Sequence, residues 1–538
     1  MDITSSLSSC DSKHKNTRIH VGLIIALAVI TRALYLNSPA GRIGYGDEAV
    51  FGMMAQKIAA LKEFPLFCWK AEYAGALVSY IAAVIFQFFG SGFVQLRCAM
   101  LPFAVGTPLL FYFIYRRIAG PLESLLGSLL LVACPFLVLR FTTSALGGYG
   151  ETFFGTGLII LLSWKIIEDP KKSGHQFFRL GLVSGFFFYI LFLIAPAIAA
   201  FAFPALLFHK RNRFKNSMLF TCGGIIGMMP MIVHNIINGG GTIIRSAGRS
   251  TSIGPNDLNS STLELIRIIV ENKLSYFKMW FAEAPSLFGQ YILPENAGHF
   301  SLQTIGVLLM IFLVLFITRV FLVTKRNVGK IYVLHFSFYF IFLVIFSWIA
   351  NLNRARHLLP LLLIIPVAFF STAEVKNRSI GKKIVPGVFI LLYTLNLLSW
   401  VSGFKTSNFN PAAVLGSFTN NNVRYFYGSY LTTFPIMFIS KGTVVGSPML
   451  LPNHEILSDR RPDFSEAVRK APASAFFFAK TETSLEKEFQ AFLLISHITS
   501  SCDRNVDGAL FFNLSKPVDA VVKTKWNTTF MLRENNLP

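Results

Sequence analysis

The sequence predicts a polytopic α-helical membrane protein of about eleven transmembrane helices, followed by a small α/β domain. Three observations carry this expectation. With 53% hydrophobic residues, 55 Phe and only 14% charged residues in 538, the chain is far too apolar for a water-soluble protein of its length. Apolar runs close to the ~20 residues needed to cross hydrocarbon recur along it. After residue 402 the composition changes to short strand-like runs alternating with helix-like ones.

The net charge of +22 raises the question of a nucleic-acid partner, but the basic residues fall in short runs between apolar segments. That pattern describes cytoplasmic loops facing anionic lipid. There is no basic and aromatic stripe for single strands, no zinc-ligand cysteine spacing and no phosphate-cradling glycine motif, so membrane lipids are expected as partners and nucleic acid is not. Of the six cysteines, Cys10, Cys98, Cys134 and Cys222 read as packing residues, while Cys68 and Cys502, both expected outside, have the sidedness for a bridge.

Lys13, Lys15 and Arg18 precede an apolar run at 19 to 36 that has no convincing small-residue cleavage site. It reads as an uncleaved first span, with residues 1–18 a cytoplasmic tail. Further spans are expected near 94 to 115, 122 to 140, 150 to 167, 176 to 192, 193 to 208, 217 to 237, 301 to 323, 331 to 350, 357 to 373 and 384 to 402. A single helix over 176 to 208 would be ~50 Å long and overshoot the bilayer core, so two short spans joined by a tight turn are expected. Lys171-Lys172 and the cluster from His209 to Lys215 flank that region, and both belong in the cytoplasm only if the crossings between them are even in number.

The apolar segment from Gly75 to Gly90 is short, and counting it as a span would turn Arg116-Arg117 and every later basic cluster outward. Residues 47 to 62 and 75 to 90 are therefore expected as two helices on the outer surface. This gives a membrane domain over 19–402 with outer loops at 37–93 and 238–300, and an outer α/β domain over 403–538. Within the second loop, Leu263, Ile266, Val270, Leu274, Phe277 and Phe281 follow helical spacing, which fits either an interfacial amphipathic helix or one that stabilises the loop. In the outer domain, strands are expected at 442 to 446, 475 to 479, 491 to 495 and 509 to 513.

The first outer loop opens with Gly41-Arg-Ile-Gly44-Tyr-Gly46-Asp47-Glu48. Two adjacent carboxylates at the edge of a span are costly to desolvate, and at a helix N-terminus the helix dipole favours their ionised form. Asp47 reads as a catalytic base, against the plainer account of an acidic first helical turn. Tyr73, Arg140, the loop Gly147-Gly-Tyr149-Gly-Glu151 and Arg354 with Arg356 are expected on the same side. Carboxylates and arginines on one face can take a proton from one group while an anion is held by another. Each also has a plainer reading: lipid-headgroup contact for the arginines, a helix-end carboxylate for Glu151, and an aromatic belt for Tyr73 and Tyr149.

In this order the motifs resemble the membrane glycosyltransferases of the GT-C fold, in particular glycosyltransferase family 39, its protein mannosyltransferases and its aminoarabinose-transferase relatives. The resemblance lies in Asp47-Glu48 after the first span, Tyr73-Ala-Gly75-Ala-Leu, Phe89-Gly90, Leu96-Arg97, Gly147-Gly-Tyr-Gly-Glu151 and Ala355-Arg356-His357-Leu-Leu-Pro360, with His357 in place of the family's tyrosine. It implies transfer of a sugar from a polyprenyl-phosphate donor to a lipid, glycan or protein acceptor at the outer face of a bacterial plasma membrane. It further implies Asp47 as base, Glu48 as a supporting carboxylate, and Arg356, Arg354, Glu151, Tyr149, Tyr73 and Arg97 around the donor. Some relatives use a divalent metal ion and others none; if one binds here, Asp47, Glu48 and Glu151 are the carboxylates for it. Two other classes compete: a secondary transporter, although no repeated halves are visible, and a non-catalytic partner in envelope assembly.

Overall fold

The computed structural model describes residues 3–39, 41, 44–168, 174–208, 212–242, 264, 266–275, 278, 307, 328–349, 359–360, 362–364, 366–367, 394, 409–449, 460–505, 507–524 and 527–532. In chain order the helices are α1 Ile3–Asn37, α2 Gly46–Ala59, α3 Leu77–Phe89, α4 Phe93–Cys98, α5 Leu101–Tyr115, α6 Pro121–Val132, α7 Phe136–Thr143, α8 Tyr149–Glu168 and α9 Gly174–Ile190. They continue with α10 Arg213–Gly227, α11 Met229–Ile237, α12 Val328–Ile349, α13 Pro411–Asn420, α14 Tyr430–Ile439, α15 Pro462–Lys470 and α16 Thr483–Ile495. The strands are β1 Phe67–Cys68, β2 Ala71–Gly75, β3 Tyr425–Gly428, β4 Val445–Pro448, β5 Ala475–Ala479, β6 Ser501–Arg504, β7 Gly508–Phe512, β8 Val518–Thr524 and β9 Asn527–Leu532. The chain forms two compact units. One comprises Met1–Tyr35, Met100–Thr143 and Gly148–Ser402, the other Leu36–Ala99, Ser144–Gly147 and Gly403–Pro538.

The first unit is a helix bundle. Among the described residues, Asn16–Asn37, Phe93–Tyr115 and Tyr149–Glu168 are each long and apolar enough to cross a membrane, and two bent helix pairs raise the number to five. On α1, Ile24 and Ala28 pack with Tyr112, Leu125 and Val132, while Leu23, Ile25, Val29, Ile30 and Leu34 remain exposed, as on a face that lipid covers. Apart from residues 307 and 394, the expected spans at 301 to 323 and 384 to 402 lie outside the described residues, as does most of 357 to 373.

The bends have local causes. Pro135 interrupts the ladder between α6 and α7, which meet at 76°. The carbonyls left without amide partners at the end of α6 are met by the buried guanidinium of Arg32, at 2.9 Å from the Val132 oxygen and 3.4 Å from that of Leu131. Pro230, in the first turn of α11, accompanies a 59° bend between α10 and α11.

Helices α9 and α10 pack backbone to backbone through glycines four residues apart. A methyl group on Gly181 would strike the Phe220 carbonyl, one on Gly185 the Gly224 carbonyl, one on Gly223 the Phe178 carbonyl and one on Gly227 the Leu182 carbonyl. These contacts advance the same way along both helices, so α9 and α10 run parallel. The chain must therefore return between them, and it does so through the apolar helical stretch Phe192–Leu207 after an extended residue at Leu191. This reversal is the two-helix turn-back expected for 176 to 208. In the second loop, a helix covers 266–275 and leaves Ile266, Val270 and Leu274 exposed, while Leu263, Phe277 and Phe281 lie outside the described residues.

The second unit contains α2, the β1–β2 hairpin, α3 and α4 together with an α/β domain. Helix α3 buries Val78, Ser79, Ala82, Ala83 and Phe86 and exposes Val84, Phe88 and Phe89, the two-faced pattern of an interfacial helix. The five-stranded sheet has the order β4-β3-β5-β7-β6, with β4, β3 and β5 parallel and the β5–β7 and β6–β7 pairs antiparallel. Every residue of β5 is buried, as expected of a strand covered on both faces. Phe476 stacks on Phe489 of α16 at 4.4 Å, in a core that includes Tyr427, Val468, Phe478 and Phe511.

One expected strand is overturned. Residues 491 to 495 belong to α16, where Phe489 and Leu493 are buried and Leu494 and Ile495 exposed; a five-residue apolar run does not by itself distinguish a strand from part of a helix. Cys68, buried, and Cys502, exposed, are both free thiols rather than a bridge.

Candidate functional site

The acidic turn opens α2. Tyr45 is extended at its N-cap, and Asp47 and Glu48 occupy the first turn. Gly46 is required there: any Cβ would lie 2.7 Å from the ring and 2.9 Å from the carbonyl oxygen of Tyr430, so only glycine lets α14 come this close.

The two carboxylates have separate partners. Tyr430 donates its hydroxyl to Asp47 Oδ1 at 2.5 Å, and Arg460 Nη2 donates to the same oxygen at 2.7 Å. Arg460 Nε also donates to the Tyr430 hydroxyl at 3.0 Å, and Nη1 reaches the Trp69 carbonyl at 3.4 Å. The Asp47 side chain is 44% exposed and that of Arg460 only 6%. The acid is open on one side and backed by a buried cation. Burial, joined by the charge of Asp47, pushes the Tyr430 phenol well above its ordinary value, so at neutral pH it is a neutral donor. Burial likewise pushes the Cys68 thiol, next to this cluster, up to about 12.

Glu48 is fully buried and bound in a fork by Arg97, with Nε 2.7 Å from Oε1 and Nη2 2.6 Å from Oε2. Arg97 also donates to the Gly41 carbonyl, which ties the glycine turn to α4. Next to Arg460, Arg461 bonds Glu63 at 2.7 Å and both oxygens of Asp463, and lies over the Trp69 ring at 4.5 Å. The segment entering α15 is thereby fastened to the β1–β2 hairpin region.

The remaining expected residues are distributed as follows. Tyr73, in β2, is half-buried and close enough to contribute to the field at Arg460. Tyr149, Arg140 and Glu151 belong to the helix bundle: Tyr149 meets the Phe141 ring edge-on at 5.0 Å, Arg140 lies over the same ring, and Glu151 is buried in the first turn of α8. The Glu151 Oε2 atom makes no hydrogen bond among the described residues. Arg354 and Arg356 lie outside those residues.

A divalent cation does not fit the Asp47–Glu48 pair as one cage, because both oxygens of Glu48 are taken by Arg97 while Asp47 faces Tyr430 and Arg460. Among the described residues no cluster of three His, Cys, Asp or Glu could hold a metal. Sequence reasoning did not find Tyr430 and Arg460. They stand 383 and 413 positions from Asp47, and the adjacent arginines at 460 and 461 in an otherwise soluble-looking stretch were the one available sign.

Residues 74–237, which include Arg97 and the loop at 147 to 151 but begin after Asp47, match the family of dolichyl-phosphate-mannose-protein mannosyltransferases. No curated protein matches the chain by sequence. The structure resembles ArnT from Cupriavidus metallidurans bound to undecaprenyl phosphate, at 12% identity and a TM-score of 0.50, over 92% of this chain and 98% of that one. It also aligns with the oligosaccharyltransferase AglB from Archaeoglobus fulgidus, crystallised with an inhibitory peptide and a dolichol-phosphate, at 12% identity and a TM-score of 0.48, over 85% of this chain and 69% of that one. The chain is thus a polytopic helical membrane protein of the GT-C fold, with a C-terminal sheet domain.

Proposed function

We propose that this protein is a membrane glycosyltransferase that moves a sugar from a polyprenyl-phosphate carrier to a hydroxyl or amine acceptor, with Asp47 as the base. The reading is supported most by one observation: a half-exposed carboxylate, oriented by a tyrosine and an arginine at the start of α2, in a chain whose fold is shared with a protein seen bound to undecaprenyl phosphate. The match of residues 74–237 to mannosyltransferases named for a dolichyl-phosphate sugar supports the same donor class.

The chemistry is a substitution at the anomeric carbon. The acceptor heteroatom forms its bond to that carbon while the carbon–oxygen bond to phosphate breaks, and the electron pair leaves with the polyprenyl phosphate. The acceptor proton passes to Asp47. Because phosphate is already a competent leaving group, the step needs a positioned base and cations for the developing charge more than it needs a general acid. Arg356 and Arg354 are the proposed phosphate binders, with Tyr73, Tyr149 and Glu151 around the donor. Glu48 and Arg97 hold the turn on which Asp47 stands. A single displacement inverts the anomeric centre. The site and the C-terminal domain are proposed to face away from the cytoplasm of a bacterial plasma membrane, with a lipid, glycan or protein as acceptor.

The test is mass analysis of envelope glycolipids and glycans with and without the gene, which reads donor sugar and acceptor together, followed by transfer assays in proteoliposomes. Asp47→Asn is expected to lower turnover by about 10²- to 10⁴-fold. Undiminished transfer by that variant removes Asp47 from the mechanism, and a retained anomeric configuration rules out single displacement.

A further inference from the structure

We propose that Tyr430 and Arg460, both supplied by the C-terminal α/β domain, are positioning residues for the Asp47 carboxylate, so that this domain completes the base. The inference rests on the role of Asp47 proposed above.

A half-exposed aspartate in the first turn of a helix has several rotamers open to it, whereas a base must present one oxygen to the acceptor proton. Two donors converge on Oδ1: the Tyr430 hydroxyl at 2.5 Å and Arg460 Nη2 at 2.7 Å. Neither bond uses Oδ2, which is left for a substrate proton.

The directions of these bonds are over-determined. The Tyr430 hydroxyl has one proton; it accepts from Arg460 Nε at 3.0 Å, so that proton goes to Asp47. Arg460 cannot swing away freely, being buried, bonded to the Trp69 carbonyl and lying over the Tyr430 ring at 5.7 Å, while Arg461 fastens the next residue to Glu63 and Asp463. Tyr430 is fixed in turn by its edge-on contact with Phe434 and by the space Gly46 leaves for it. The carboxylate is therefore gripped by a frame that is itself rigid, the arrangement that supports a precisely aimed catalytic group.

The experiment uses the full-length protein in liposomes with a polyprenyl-phosphate sugar donor that the wild type accepts. Tyr430→Phe keeps the ring packing and removes the hydroxyl; it is expected to lower kcat about tenfold with the donor KM unchanged. Arg460→Gln is expected to cost more than Arg460→Lys, which retains a charge near Asp47 but cannot serve the tyrosine, the carbonyl and the acid together. In an Asp47→Asn background, Tyr430→Phe is expected to add nothing. A thermal melt of each variant reports folding, and Arg460→Lys carries the test if Tyr430→Phe does not fold. Wild-type kcat in both Tyr430→Phe and Arg460→Lys overturns this inference alone, as does an equal loss with and without Asp47. Absence of transfer by the wild type from every polyprenyl-phosphate sugar tried overturns the base reading, and this inference with it.

Discussion

Asp47 and Glu48 are neighbours in sequence with different work to do. Glu48 and Arg97 form a buried, doubly hydrogen-bonded ion pair, at 0% and 1% side-chain exposure. Removing one partner strands the other charge away from water, so Glu48→Gln or Arg97→Met is expected to destabilise the protein by about 3–5 kcal/mol. Replacing both residues with apolar ones of similar volume is expected to cost much less, and melting temperatures of the three variants in detergent check the difference. Cys68 offers a pH test. Its thiol, buried and raised to about 12, stays protonated at pH 8, where the thiolate is the species that alkylates. Maleimide at pH 8 is expected to label the exposed Cys502 and leave Cys68 unreacted until the fold is opened by denaturant, as peptide mass mapping will show. The place of Asp47 at a helix N-terminus was legible from the glycines before it. The partner of Glu48 was not, because Arg97 lies 49 positions away and neither residue carries a local sign of burial.

At the scale of elements, the sequence was most informative where one physical rule had a single solution. The basic clusters on either side of 176 to 208 called for a reversal of the chain, and the parallel α9–α10 pair has one between its helices. The glycines that bring these helices together were open to reading as small residues spaced by four, a pattern that permits backbone contact. Gly185→Leu or Gly223→Leu is expected to drive a side chain into an opposing carbonyl and separate the pair, with a loss of several degrees in melting temperature and greater protease sensitivity, whereas Gly416→Leu on α13, where a Cβ meets nothing within 4 Å, is expected to melt nearer the wild type. The misread run at 491 to 495 shows the opposite case. Five apolar residues satisfy strand and helix alike, and the alternation of buried and exposed positions that decides between them exists only once the sheet is built.

At the scale of the molecule, the compact unit that carries Asp47 joins Leu36–Ala99 to Gly403–Pro538, an association that no window of sequence announces because its parts are separated by the membrane bundle's chain. Local pattern reads the short helices and the α/β domain well; it does not say that they share one body or that one supplies hydrogen bonds to the other. The separation has a consequence for biogenesis. Asp47 emerges early from the ribosome, and Arg460 follows 413 residues later, on the order of half a minute at ordinary elongation rates. For the first 383 of those residues the nascent acidic turn has neither of its clamps, and a chain terminated before them never acquires either. If Asp47 is the base proposed above, a chain cut short before residue 430 carries an unclamped carboxylate and is expected to turn over more slowly than the full-length protein.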